Sequence, residues 1–276
     1  MSTTASAPLH IDTTPTAPIP FLRLVRVEWR KMIDTRGGRW LLAITAALVL
    51  LAFGLTLLVV GLDDAVVSAG VFAQVMAVPL SLLLPVLAIL IVTSEWSQRT
   101  TMVTFAFEPH RLRVVLAKLV AVVCLALVTL VLALALGALG TVVGAEMIGG
   151  EPIWDLGWND VAWLTGLQLV YLVMGFALAL LFLNTPSTVA VYYVASLLLP
   201  YMVWGILFSL FDWAQTLLPF LDITYAVTPF QTGNDVMGQP VDTGFLEVLQ
   251  LLSALTIWVF GPLVLGTLRV LRSEVK

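Results

Sequence analysis

Six stretches of this chain, approximately 40–60, 71–93, 115–143, 161–183, 188–210 and 246–268, run almost without charged side chains. A helix needs about 20 mostly apolar residues to cross a bilayer, and backbone groups in lipid must be satisfied within the segment. None of the stretches shows the alternation of a barrel strand. The expected fold is therefore all-α: a polytopic membrane protein with six transmembrane helices. Composition agrees, with 60% hydrophobic and 11% charged residues and a mean hydropathy of +1.04, where soluble domains carry about 25% charged residues. Two histidines, His10 and His110, and the single Cys124 cannot build a metal cluster, a disulfide framework or a Cys/His catalytic pair. No cofactor or metal is expected in this chain.

The formal net charge of −4 matters less than its distribution. Arg23, Arg26, Arg30, Lys31, Arg36 and Arg39 precede the first span; Arg99, Arg111, Arg113 and Lys118 lie at the second-to-third connection; Arg269, Arg272 and Lys276 follow the sixth. These are all thirteen basic residues. The opposite connections carry Asp63 and Asp64, then Glu146, Glu151, Asp155 and Asp160, then Asp212, Asp222, Asp235, Asp242 and Glu247, with no Lys or Arg among them. Basic residues near span ends stay on the cytoplasmic side, so both termini are expected to be cytoplasmic.

Residues 1–20 are rich in Thr, Ala and Pro and poor in apolar bulk, which predicts a disordered tail; residues 273–276 form a second short tail. The apolar run at 40 follows six basic residues and is about twice as long as the core of a secretory signal, so it is expected to stay as a span. Between tail and span, 21–36 reads as an amphipathic interfacial helix: Leu22, Val25, Trp29, Met32 and Ile33 share one face, with Arg23, Arg26 and Arg30 along its flank. It serves either as a mechanical element or as a basic anchor. Gly37 and Gly38 would then hinge it to the first span. Residues 21–272 are expected to form one six-helix transmembrane domain.

The connection from Glu95 to Lys118 is short, polar and basic. Glu95 and Arg99 stand at i,i+4 in the favourable order for an ion pair, Pro109 ends any helix before it, and Lys118 can snorkel to the interface. By charge pattern alone this is an ordinary positive-inside hairpin. Its order of features, however, resembles the permease subunits of the type-2 family of ATP-binding-cassette exporters: an acid closing span two (Glu95), then Arg99-Thr100, a short helix, Glu108-Pro109-His110-Arg111, and Ala117-Lys118. The interfacial helix, six spans and a longer segment before span six agree with that layout.

The resemblance implies a half-transporter that rests on a separate ATPase, with two ATPase copies and a second permease, the same chain or a related one, completing the unit. Glu95, Arg99, Thr100, Arg111 and Arg113 would couple to the ATPase, together with Arg23, Arg26, Trp29 and Arg30 of the interfacial helix. No Gly-x-x-x-x-Gly-Lys-Ser/Thr phosphate loop occurs, so the chain itself is not expected to be an enzyme, and no nucleic-acid partner is expected. Ten Arg against three Lys suggests GC-rich bacterial codons and hence a bacterial plasma membrane.

The turn Asn184-Thr-Pro-Ser-Thr188 is too short to grip a partner. Residues 212–244, with Trp213, Leu217, Leu218, Pro219, Phe220 and Pro229, form either a re-entrant helical pair, which by the resemblance would gate the outer side, or an interfacial loop. Gly140-Thr-Val-Val-Gly144 is a close-packing pattern, expected to act within the chain. Gln74, Ser81, Tyr193, Tyr201 and Trp204 could line a cargo route, or they belong to packing and the interfacial belt. An exporter of hydrophobic or amphipathic cargo therefore competes with an ATP-independent carrier or channel, which the shortage of intramembrane charges disfavours. A membrane enzyme is third, lacking a His-Glu-x-x-His pair.

Overall fold

The computed structural model describes residues 19–63, 66–98, 100, 102, 104 and 108–273. Helix α1 (Phe21–Asp34) leads into α2 (Arg36–Asp63), α3 (Ala69–Ser97), α4 (Arg111–Met147), α5 (Trp158–Phe182) and α6 (Thr185–Leu210). Two short helices follow, α7 (Asp212–Leu221) and α8 (Ile223–Thr232), then α9 (Phe245–Arg272). Helices α2 to α6 and α9 are the six expected spans, each long and apolar enough to cross a membrane. All six begin before the uncharged stretches, and α2, α3, α4 and α9 also run past their ends, because polar and charged residues at the rims extend the helices without entering hydrocarbon. No strand occurs among the described residues beyond a single bridge between Asn234 and Pro240.

α3 and α5 are the most enclosed spans, and α2, α6 and α9 the least. The core lies along α3, where Phe72, Met76, Leu80, Leu84 and Ile89 are essentially inaccessible, and along α5 at Leu172, Met174 and Phe176. Small residues set the spacing: a methyl group on Gly140 would meet the Phe72 ring at 2.5 Å, and one on Gly144 would touch Val60. The Gly-x-x-x-Gly pattern thus serves packing within the chain.

α6 and α9 change pitch midway, with wide π turns over Val194–Trp204 and Thr256–Phe260. The amide of Gly261 reaches back five residues to the Thr256 carbonyl, and a methyl group on Gly261 would lie 2.7 Å from that oxygen. α7 and α8 are the helical pair expected over 212–244, tied to two spans: the Ser253 hydroxyl and Trp258 indole of α9 donate to the carbonyls of Phe220 and Leu221, and Tyr171 of α5 pairs with Thr224 at 2.9 Å. Asp222 caps α8 through the amides of Thr224 and Tyr225, while burial pushes its carboxyl above the usual carboxylate value.

Every described Lys and Arg lies at one end of the bundle, where several close helix termini. Arg111 donates to the carbonyls of Val270 and Ser273, satisfying the last turn of α9, and Arg269 does the same for Leu181 at the end of α5. Arg113 holds the Ile19 carbonyl at 2.7 Å. Both ends of the described chain therefore meet at the start of α4. At the acidic end, hydrogen bonds from Ser68 and the Gly70 amide hold the Asp155 carboxyl below its ordinary value and tie the 148–157 connection to α3.

Candidate functional site: a ring of charges beneath the interfacial helix

Helix α1 packs along the basic end of the bundle, but not on the expected stripe. Leu22 is 78% exposed and Ile33 also faces outward, while Glu28 and Met32 are buried and Val25 and Trp29 are partly covered. The face is rotated toward Glu28. A carboxylate can occupy the centre of a packed face only if cations meet it there, and two lysines do.

The Lys118 ammonium lies 2.7 Å from Glu28 Oε2 and 2.9 Å from Glu95 Oε1; Lys31 lies 2.7 Å from Glu28 Oε1 and 2.6 Å from Glu95 Oε1. The four groups close an alternating ring, Glu28-Lys31-Glu95-Lys118, that joins α1 to the end of α3 and the start of α4. Side chains of Glu28, Glu95 and Lys118 are 5%, 9% and 6% exposed. Lys118 spends its third donor on the Ile91 carbonyl, so it is fully satisfied inside the bundle. It does not snorkel outward as expected, because two carboxylates neutralise it in place. Burial alone would lower the Lys31 pKa, but the Glu28 and Glu95 carboxylates outweigh it and hold the ammonium above its ordinary value.

The segment after α3 leans on the same ring. Thr104 Oγ1 reaches Glu95 Oε1 at 3.4 Å, and the Thr100 amide donates to the Glu95 carbonyl. The amides of Thr104 and Glu108 donate four residues back, to the carbonyls of Thr100 and Thr104, the spacing of a helical turn; the rest of the expected short helix lies outside the described residues. Glu108, also buried, pairs with Arg113 at 3.0 Å and His110 Nδ1 at 3.1 Å.

Glu95 is partnered by Lys31 and Lys118, while Arg23, Arg26 and Arg30 lie on the exposed side of α1. Arg99, the expected i,i+4 partner, lies outside the described residues, as do Asp64, most of the 1–20 tail and 274–276. Arg111 and Arg113 bind the two ends of the chain and Glu108 rather than pointing freely outward. The hinge is Thr35, whose extended backbone separates α1 from α2 and whose hydroxyl accepts from the Gly38 amide. Gly38 supplies clearance instead: a methyl group there would lie 1.8 Å from the Met32 carbonyl oxygen.

The suggested route residues do not converge. Tyr193 donates to the Leu82 carbonyl and Ser81 to Val78, while Gln74 and Tyr201 face outward. Sequence reasoning missed Glu28, Lys31 and Thr104. The signal was available: Glu28, Glu95 and Glu108 are acids left at the basic end, and Lys118 is a cation inside an apolar run. Among the described residues, no group of His, Cys, Asp and Glu could hold a metal. No protein-family model matches the chain, and no curated protein is similar to it.

Proposed function

We propose that this chain is the permease subunit of an ATP-binding-cassette exporter in a bacterial plasma membrane, with both termini cytoplasmic. It would move a hydrophobic or amphipathic cargo outward with ATP hydrolysed by a separate subunit, in a unit of two permeases and two ATPases. The observation that carries this reading is the charge ring. It joins an interfacial helix, the end of one span and the start of the next beside a short connecting helix, so a push on that segment displaces all three together. A fully satisfied buried polar network is stiff, which suits transmission from a docked motor. The exposed Arg23, Arg26 and Arg30 on the outer side of α1 are then free to meet an acidic partner surface.

The test is reconstitution in liposomes with an ATP-binding-cassette ATPase subunit that co-purifies with this chain. Wild-type permease should stimulate ATP hydrolysis. Arg26→Glu with Arg30→Glu leaves the ring intact and should insert normally, yet lower stimulation by about tenfold, since like-charge juxtaposition at an interface costs several kcal/mol. Unchanged stimulation, or transport that follows an ion gradient without ATP, would refute the reading in favour of a carrier.

Orientation has its own check. In a background lacking Cys124, cysteine at Asp155 should react with an impermeant thiol reagent applied to intact cells, and cysteine at Ser97 should not. Labelling of Ser97 from outside would invert the assignment.

A further inference from the structure

A cleft of about 600 Å³ opens at the basic end between the α1–α2 elbow, the end of α3 and the start of α6. One wall is apolar, with Leu87 and Leu90 of α3; the opposite rim carries Lys31, Arg36, Thr35 and Thr185. We propose that this cleft is a binding site for an amphiphile whose phosphate headgroup carries net negative charge, with that headgroup held at the elbow and the hydrocarbon chain laid along α3. The inference is independent of the ATPase reading, because it concerns the chain alone.

Three observations converge on an anion at the rim. Lys31 has three N–H donors, of which two are taken by Glu28 and Glu95. Its side chain is 37% exposed and lines the cleft, which leaves the third donor for a ligand. Arg36 also lines the cleft and has no ion-pair partner among the described residues. The rim is also the N-terminus of α2, a helix of 28 residues. Thr35 caps its third amide, that of Gly38, but the amides of Arg36 and Gly37 meet no acceptor among the described residues. Gly37 has nothing within 4 Å of where a side chain would stand, so the backbone is open to close approach. Unpaired first-turn amides with flanking cations favour phosphate.

The wall argues for a chain attached to that phosphate. Leu87 and Leu90 lie on α3 one helical turn apart or less, running from the charge ring toward the hydrocarbon zone. Leu87 is itself 2% exposed, so it forms the floor, and the surface that a small soluble anion would leave uncovered is that of the partly exposed Leu90, which an acyl chain removes from water at about 25 cal/mol per Å². Glu95 also borders the cleft, but its contacting oxygen is shared between Lys31 and Lys118, so it repels a phosphate less than a free carboxylate would.

The experiment is native mass spectrometry of the purified full-length chain in a mild detergent with added phosphatidylglycerol, phosphatidylcholine or glycerol 3-phosphate. Phosphatidylglycerol should be retained in preference to phosphatidylcholine. Arg36→Gln should lower its retention about fivefold, the ratio expected for one basic residue at an anionic headgroup. Leu90→Trp, which fills the cleft without altering a charge, should lower it by at least as much. Equal retention of the two lipids, or full retention by Leu90→Trp, would overturn the site in favour of surface attraction to the basic rim. Binding of glycerol 3-phosphate as tight as that of phosphatidylglycerol would overturn the amphiphile and leave a soluble phosphate ligand.

Discussion

Lys118→Met should destabilise the protein by about 3–5 kcal/mol, the usual consequence of removing one partner from a buried ion pair. Methionine fills nearly the same space, so packing is kept and the charge alone is lost. Glu28 and Glu95 would then share only Lys31, leaving one uncompensated negative charge at a site where their side chains are 5% and 9% exposed. The Ile91 carbonyl would lose its donor as well. Thermal unfolding of the purified chain should begin on the order of 10 °C lower. Lys31→Met removes the same formal charge, but from a side chain that is 37% exposed. It leaves the same uncompensated charge on the two buried carboxylates, but water can reach them through the vacated position, so its expected cost is smaller, about 1–3 kcal/mol. The ring also predicts non-additivity. Glu28→Gln with Lys118→Met deletes a charge of each sign and should cost less than the two single changes together, by about 0.5–3 kcal/mol. Additive losses would show that the four groups do not act as one unit.

The spans were legible because lipid imposes a single, long-range constraint: runs without charge must be helices, and the sequence contains six of them. The close-packed Gly140 and Gly144 were legible for a similar reason, since a small residue every fourth position has few other uses in a span. The seating of α1 was not. Hydrophobic periodicity placed Leu22 and Ile33 on the inner face, but the decisive residue was a polar one. Glu28 is buried because Lys118, ninety positions away, neutralises it, and a helical wheel contains no information about such a partner. The same limit hid the role of Arg111 and Arg113. Their charge marks one end of the bundle, while their hydrogen bonds to Ser273 and Ile19 depend on which termini fold beside them. Lys118 was misplaced for the opposite reason. A lysine near a span end ordinarily escapes toward water, and only two carboxylates in reach keep it inside.

Gly38→Ala should release helix α1 from the bundle, while Gly37→Ala should leave it in place. The two glycines are adjacent and share the first turn of α2, so helix propensity favours alanine at both. Sterically they are opposites. Nothing stands within 4 Å of a side chain at Gly37, but at Gly38 a methyl group would lie 1.8 Å from the Met32 carbonyl oxygen and 2.8 Å from its carbon. Those atoms are backbone, so no rotamer change relieves the overlap and the elbow itself must open. Opening it withdraws Met32 from the core and pulls Lys31 away from Glu95. Each 1.4 kcal/mol of lost docking multiplies the undocked population about tenfold, and overpacking by one methyl already costs about 1–3 kcal/mol. Limited trypsin digestion in detergent gives the readout, because cleavage after Lys31 requires that residue to leave its two carboxylates. Wild type and Gly37→Ala should be cut slowly there, and Gly38→Ala at least about tenfold faster. Equal cleavage of all three proteins would mean that the elbow accommodates the methyl group, and that the contact between α1 and the spans is looser than the ring of four charges implies.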